Sequence, residues 1–403
     1  MNIEHVYKVT IYASDKYRMI IPQTDYSSFQ PARFLQHKTK RLPYDILSHQ
    51  KQADQIYLSS ALAYQLQVNE AGKIMILKED EYASIYHPFA VMLHQHPNQS
   101  KWETLLQEMA ETGEVLGFKV IFFTADQVDI QQDQLTGLIW KDQQWQSITL
   151  DIPPIIYNRL PNRTIESHPS IKQTKNYLTA HSIIFNPDFF NKWKIYDQLI
   201  QRQDLSYLLP ECIFKPSFET LAQKLEQKPV YLYNQQNHQA VYIERHQGSF
   251  TATIGSSKQD RYQALEQLIA AYFPKGLSHT VLQEATTFHE PYTIRIHTIH
   301  TSEWELVLQY GKHHLDGNLQ PVTETKIPSY QLKKMAKCAL QVSEILIDEG
   351  ISELMLEFVL DNEQRIWLLD LYAKPSWEIF MKNTFSPFAS GYFQKLLQVQ
   401  VID

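Results

Sequence analysis

The sequence predicts a mixed α/β (α+β) protein in three parts. Three observations lead there. Short β-rich apolar runs alternate with amphipathic helical stretches along the 403 residues. Residues 90–123 read strand, helix, strand, the seed of a parallel layer. Near the C-terminus, two apolar runs flank a four-residue polar turn, Asp361-Asn362-Glu363-Gln364.

In order along the chain, Tyr7–Tyr12 and Ile74–Leu77 are strand-like, the second entered through the turn sequence Glu70-Ala71-Gly72-Lys73. Residues 1–95 are therefore expected to form a β-rich N-terminal module. Ala90–Leu93 reads as a strand. Trp102, Leu105, Leu106 and Met109 share one helical face, with a stop expected near Gly113, and Val120–Phe123 is the next strand. Trp140 and Trp145 suggest a hairpin, and Pro153–Arg159 follows. Residues 96–185 thus read as a small parallel-sheet α/β domain.

Asn186-Pro187-Asp188 has the form of a helix start, a capping Asn followed by Pro. Phe189, Trp193, Tyr196 and Ile200 would be that helix's apolar stripe. Val230–Tyr233 and Ala240–Ile243 read as strands, and Tyr262, Leu265, Leu268, Ile269 and Tyr272 as an amphipathic helix. Val281–Glu284 and Tyr292–Ile299 are strands. A long helix through Leu332 to Leu346 ends near Gly350, and Leu354–Leu360 and Arg365–Tyr372 form the final hairpin. The third domain is expected over 186–403, with a small lobe at about 186–280 and a large lobe at about 281–403.

Composition excludes several classes. Eleven glycines stand where about 7% usage would give roughly 28. There is no G-x-G-x-x-G and no G-x-x-x-x-G-K-[ST], so a standard Rossmann site or P-loop is not expected. Lys+Arg 37 against Asp+Glu 44 gives a net charge of −7, which argues against nucleic acid or an anionic membrane as partner. Two cysteines, Cys212 and Cys338, cannot make a disulfide framework and fit a reducing, cytoplasmic setting. No signal-like or membrane-spanning run stands in the sequence.

The sharpest chemistry lies in Met355-Leu356-Glu357-Phe358-Val359-Leu360-Asp361 and Trp367-Leu368-Leu369-Asp370-Leu371-Tyr372-Ala373-Lys374-Pro375. In a hairpin Glu357 and Asp370 can meet across the strands. Two adjacent carboxylates need a positive partner such as Mg²⁺, or else each points to solvent. His87, His94 and His96 offer an H-x-H pair, with surface histidines the alternative to a metal cluster. His313-His314 beside Asp316 is a loop of the same kind. His297, two residues beyond Arg295, is either a base near a site or a satisfied wall residue.

The hairpin resembles the C-terminal metal hairpin of ATP-grasp proteins, and the chain is similar to the YheC/YheD-type ATP-grasp family, endospore coat-associated proteins. Further resemblances are Ile56–Ser59, Met92-Leu93, Pro154–Pro161 ("Y-[DN]-R" at Tyr157-Asn158-Arg159), Phe190–Trp193, Leu209–Glu211 and Tyr292–Ile296, so about residues 50–380 are covered. The resemblance implies an ATP-grasp fold behind a pre-ATP-grasp domain, with ATP and Mg²⁺ as cofactors. It implies Lys192 as a phosphate lysine, Gln283, Glu284 and Ala285 as the adenine-binding linker, Arg295 and Lys374 as catalytic cations, and Glu357 and Asp370 as metal ligands. It also implies a spore-associated setting with a spore-coat or other protein partner.

The sequence departs from the family pattern at four places. Tyr233 stands where the family has a phosphate lysine, and residues 234–240 contain no glycine. Tyr372 stands where it has a metal-binding Asn, and its glycine loop is not evident between Lys312 and Thr323. These departures predict weak or absent ligase activity, a pseudoenzyme. The alternative is an active Mg-ATP-dependent ligase that joins a carboxylate to an amine or thiol through an acyl-phosphate.

Overall fold

A run of twelve residues, Tyr82–Leu93, organises the N-terminal half because nearly all of them are apolar and can be buried on both faces of a sheet. The computed structural model describes residues 3–68, 73–78, 81–234, 240–254, 258–285, 292–313 and 317–399. The turn expected at 70–73 and the glycine-free loop lie largely outside them. The chain divides into two units. One comprises Met1–Asp188, Gly350–Ser352 and Ser376–Asp403, the other Phe189–Glu349 and Glu353–Pro375.

In the first unit Tyr82–Leu93 pairs antiparallel with Lys73–Lys78 through its first half. Its second half pairs parallel with Phe118–Thr124, from His87↔Phe118 to Leu93↔Thr124. The expected Ala90–Leu93 strand is therefore the end of a longer one that runs through residue 90 from the β-rich module. The sheet continues without a break from Ile3–Glu4 to Asp45–His49. Two separate apolar cores lie along it, one around Leu35, Ile56 and Ile76, the other around Ile121, Leu150 and Ile156. The expected hairpin forms, with Trp140 opposite Trp145.

The helix Glu103–Leu116 does not stop at Gly113. Gly113 faces inward, where a Cβ would sit 2.7 Å from Val120 Cγ2, so its smallness serves packing. The stop is Gly117, whose φ of 84° only glycine adopts without strain. A Cβ there would also come within 2.5 Å of His37 Cε1. Gly117→Ala is expected to destabilise by about 2 kcal/mol, combining left-handed strain with overpacking. A lowered urea midpoint at constant m-value would show it, and an unchanged midpoint would refute it.

Residues 376–399 pack into the first unit rather than closing the second. Trp377, Phe380 and Phe393 are buried there, and Arg159 sets its guanidinium 4.2 Å from the centre of the Trp377 ring. Residues 350–352 return to it as well. Asn186 marks the place: its N–H donates to the Gly350 carbonyl at 2.9 Å, and its Oδ1 accepts from the Ser352 N–H at 2.9 Å. It is fully buried at a φ of 50°, so it cannot open a helix. The helix begins five residues later. Asn191 caps Lys192–Ile200, its Oδ1 accepting from Trp193 N and Lys194 N. That later start rotates the stripe: Ile195 and Leu199 are buried and Ile200 is 40% exposed.

The second unit contains two antiparallel sheets. Six strands run in the order Cys212–Phe214, Thr280–Glu284, Val230–Asn234, Ala240–His246, Ser249–Ile254, Lys258–Tyr262. Helices Phe218–Gln227 and Leu265–Tyr272 cover one face, packing Leu221, Leu225, Leu265 and Leu268 on Val230, Leu232, Val241 and Ile243. Tyr262 belongs to the last strand, not to the helix. Five strands run Leu319–Pro321, Trp304–His313, Tyr292–His300, Glu353–Leu360, Ile366–Tyr372. The helix Ser329–Ile345 buries Met335, Ala339 and Val342. Among the described residues, no helix is long and apolar enough to cross a membrane.

Candidate functional site

The strand Val230–Asn234 alternates at period two. Val230 and Leu232 are buried in the core, and Tyr231 and Tyr233 emerge on the other face. There they line a cavity of about 350 Å³ that belongs wholly to the second unit and draws on both of its sheets. Register fixes which side chains stand together. On the six-stranded sheet Cys212, Gln283 and Tyr231 form one row and Val281 and Tyr233 the next. On the five-stranded sheet Arg295, Glu357 and Asp370 form a row. A bulge after Glu357 resets the last pairing, so that Phe358 opposes Leu368.

Glu357 and Asp370 do meet across the hairpin, but each already has partners. Thr293 donates to Glu357 Oε1 at 2.7 Å, and Arg295 Nη2 donates to Oε2 at 3.0 Å. The side chains of Arg295 and Glu357 are only 15% and 12% exposed. Burial pushes the Glu357 carboxyl up, yet Arg295, the Thr293 hydroxyl and Lys312 together hold it below the ordinary value. Burial pulls the Arg295 guanidinium down, and Glu357, Tyr310 and Tyr372 more than reverse it. Asp370 Oδ1 accepts from the Leu371 N–H at 2.8 Å, and the Tyr372 hydroxyl is hydrogen-bonded to Asp370. Burial, then Asp370 and Glu357, raise that phenol well above its usual range.

Both Glu357 oxygens already have donors, one of them a cation, so a magnesium ion held by Glu357 and Asp370 would have to share Glu357 with Thr293 and Arg295. Among the described residues, no group of three or more His, Cys, Asp or Glu is placed to hold a metal. His87, on the strand that ends at Leu93, instead packs its ring 5.7 Å from that of His37. His297 is fully buried, with Nε2 3.3 Å from the Tyr310 hydroxyl, and is not among the residues lining the cleft.

The other expected site residues are dispersed. Gln283 lines the cleft. The Glu284 carboxylate turns to Lys224 at 2.9 Å and to Lys228, and its N–H donates to the Glu211 carbonyl at 3.2 Å. The Ala285 N–H donates to the Pro229 carbonyl at 3.0 Å. Lys374 places its ammonium 4.4 Å from the centre of the Phe189 ring, not among the lining residues. Lys192 opens its helix, and its side chain lies outside the described residues.

Sequence reasoning missed the aromatic wall. Trp193 stacks on Tyr196, with centroids 5.3 Å apart at 22°, and on Phe214, at 5.0 Å and 16°. Tyr196 is fixed by donating to the Pro210 carbonyl at 3.1 Å. It also missed Thr293 and Lys312. The period-two pattern of Tyr231 and Tyr233 was the available signal.

The lining residues come from both sheets of the second unit, with Gln283 near the end of the strand Thr280–Glu284. Residues 181–313 match the YheC/D-like ATP-grasp family, which bears out the resemblance read from the sequence. Within that class the chain is similar to the endospore coat-associated protein YheD of Bacillus subtilis (strain 168), at 25% identity over 293 residues. That match covers 64% of this chain and 64% of the relative, just under two thirds of its length. Similar solved structures include the ADP complex of purK, N5-carboxyaminoimidazole ribonucleotide synthetase (10% identity, TM-score 0.48, 78% of each chain). The D-alanine–D-alanine ligase of Coxiella burnetii is another (9% identity, TM-score 0.46, 77% of this chain and 93% of that one).

Proposed function

We propose that this chain is a YheC/D-like ATP-grasp protein that acts by binding and assembly and turns over ATP weakly or not at all. The observation that carries this is the Arg295–Glu357–Thr293 cluster, because the Glu357 charge is already met by a buried guanidinium that a metal would have to displace or share it with. Tyr233 and Tyr372 also line the cleft and bring no cation to it. Phosphoryl transfer rests on charge neutralisation and positioning, and each of these residues removes a part of that. A protein partner in the spore coat is the companion proposal, supported by the similarity to YheD.

The test is ADP release from Mg-ATP across carboxylate and amine or thiol acceptors. No ADP above a denatured control is expected. Steady ADP production that is lost in Asp370→Asn would overturn the proposal and establish the ligase instead.

A further inference from the structure

Five of the residues lining the cleft are aromatic: Trp193, Tyr196, Tyr231, Tyr233 and Tyr372. Leu199, Leu209, Pro210, Val281, Leu368 and Leu371 add apolar wall, alongside polar Gln283 and Thr293. Walls of this kind take flat apolar surfaces, and aromatic rings stack offset or edge-on against them. The Trp193 ring is already held parallel to Tyr196 and Phe214, so its platform is set before anything binds. A cavity of about 350 Å³ is at the small end of ligand pockets, suited to a bicyclic aromatic with a modest substituent.

Charge at the other end decides the rest. Among the described lining residues one cation, Lys312, stands against two carboxylates, Glu357 and Asp370, and Glu357 is paired with Arg295 behind the lining. A polyphosphate entering there would bring several negative charges against both carboxylates. To gain a counter-ion besides Lys312 it would have to break the Arg295–Glu357 pair and strand Glu357. Gln283 and the Tyr231 hydroxyl bring hydrogen-bonding groups without charge.

We infer that the cleft binds a neutral planar aromatic molecule, of the size of a nucleoside or an indole-bearing amino-acid derivative, in preference to a nucleoside triphosphate. This rests on the reading of the site as one without turnover. It inverts the charge preference that the fold implies.

The test uses the full chain and three probes in titration calorimetry: adenosine, N-acetyl-tryptophanamide, and ATP with and without Mg²⁺. At least one neutral probe is expected to saturate, with the ATP forms at least about tenfold weaker. Raising the salt concentration should leave the neutral probe's affinity unchanged, because no ion pair forms with it. Which of the two neutral probes saturates separates a nucleobase ligand from an aromatic side chain.

Trp193→Leu should weaken that probe at least about tenfold. If Trp193→Leu fails to fold, Tyr231→Leu serves, judged at unchanged melting temperature. The inference is overturned if both neutral probes fail to saturate at millimolar concentration, or if Mg-ATP binds as tightly as they do. Those results without ADP release leave the non-catalytic reading standing. ADP release removes both.

Discussion

Arg295→Ala is expected to lower the stability of the second unit by about 3–5 kcal/mol, the cost of leaving a buried carboxylate without its cation. The Thr293 hydroxyl would still donate to Glu357 Oε1, but Oε2 would lose the guanidinium that neutralises the carboxylate. Replacing both partners by methionine should recover most of the loss, since the pair's desolvation cost disappears with it.

The pair also sets an acid limit. The Glu357 carboxyl lies below its reference of 4.5 in the folded state, so the unfolded chain binds the proton first as pH falls. Its contribution is complete above pH 4.5 and drains away as pH falls through the folded value. Urea titrations monitored by near-ultraviolet circular dichroism check both effects. A loss under about 1 kcal/mol in Arg295→Ala would mean that the pair is solvated and that the carboxylate is open to a metal after all.

A second large effect is expected in the first unit, from His87. Burial, then the neighbouring His37 and Lys38, lower its imidazole from 6.5 to about 4, and a hydrogen bond with the Lys73 backbone only partly opposes them. His37 is lowered as well, by burial first and then Lys38, against a 2.9 Å hydrogen bond with the Ile85 carbonyl. Burial therefore favours the neutral form of both rings in the folded protein.

Between pH 6.5 and about 4 the unfolded chain holds the His87 proton and the folded chain does not. Stability therefore falls as pH drops through that window and levels off for this group below it. At 1.36 kcal/mol per pH unit, the fall from 6.5 to about 4 is worth about 3 kcal/mol. His87→Phe keeps the ring packing against Phe118 and His37 and should flatten the curve over the same window. Equal pH dependence in the variant and the parent, by urea midpoints at pH 7 and in that window, would exclude this role for His87.

Much of the architecture was legible because it is written in short-range patterns. Period-two alternation marks Val230–Asn234, an apolar run marks Glu353–Leu360, and a polar turn between apolar runs marks the last hairpin, where Glu357 meets Asp370 across the strands. The misreadings share one cause. Gly113 and Asn186 carry the local signs of a helix stop and a helix start, but both are buried, and their tertiary neighbours override those signs. Residues 350–352 and 376–399 return to the first unit through contacts that no window of sequence contains.

The site divides in the same way. Residue types and spacing determined that two carboxylates would stand opposite each other, that Tyr233 would bring no charge, and that the loop after it would lack glycine. None of these depends on where other strands lie. What Glu357 holds is a different matter. Arg295 reaches it only because Tyr292–His300 and Glu353–Leu360 pair in one particular register, 62 residues apart in sequence. The aromatic wall likewise forms because side chains from separate strands and a helix converge on one cavity. Charge pairing and packing are properties of proximity, and proximity between distant segments exists only once the chain has folded.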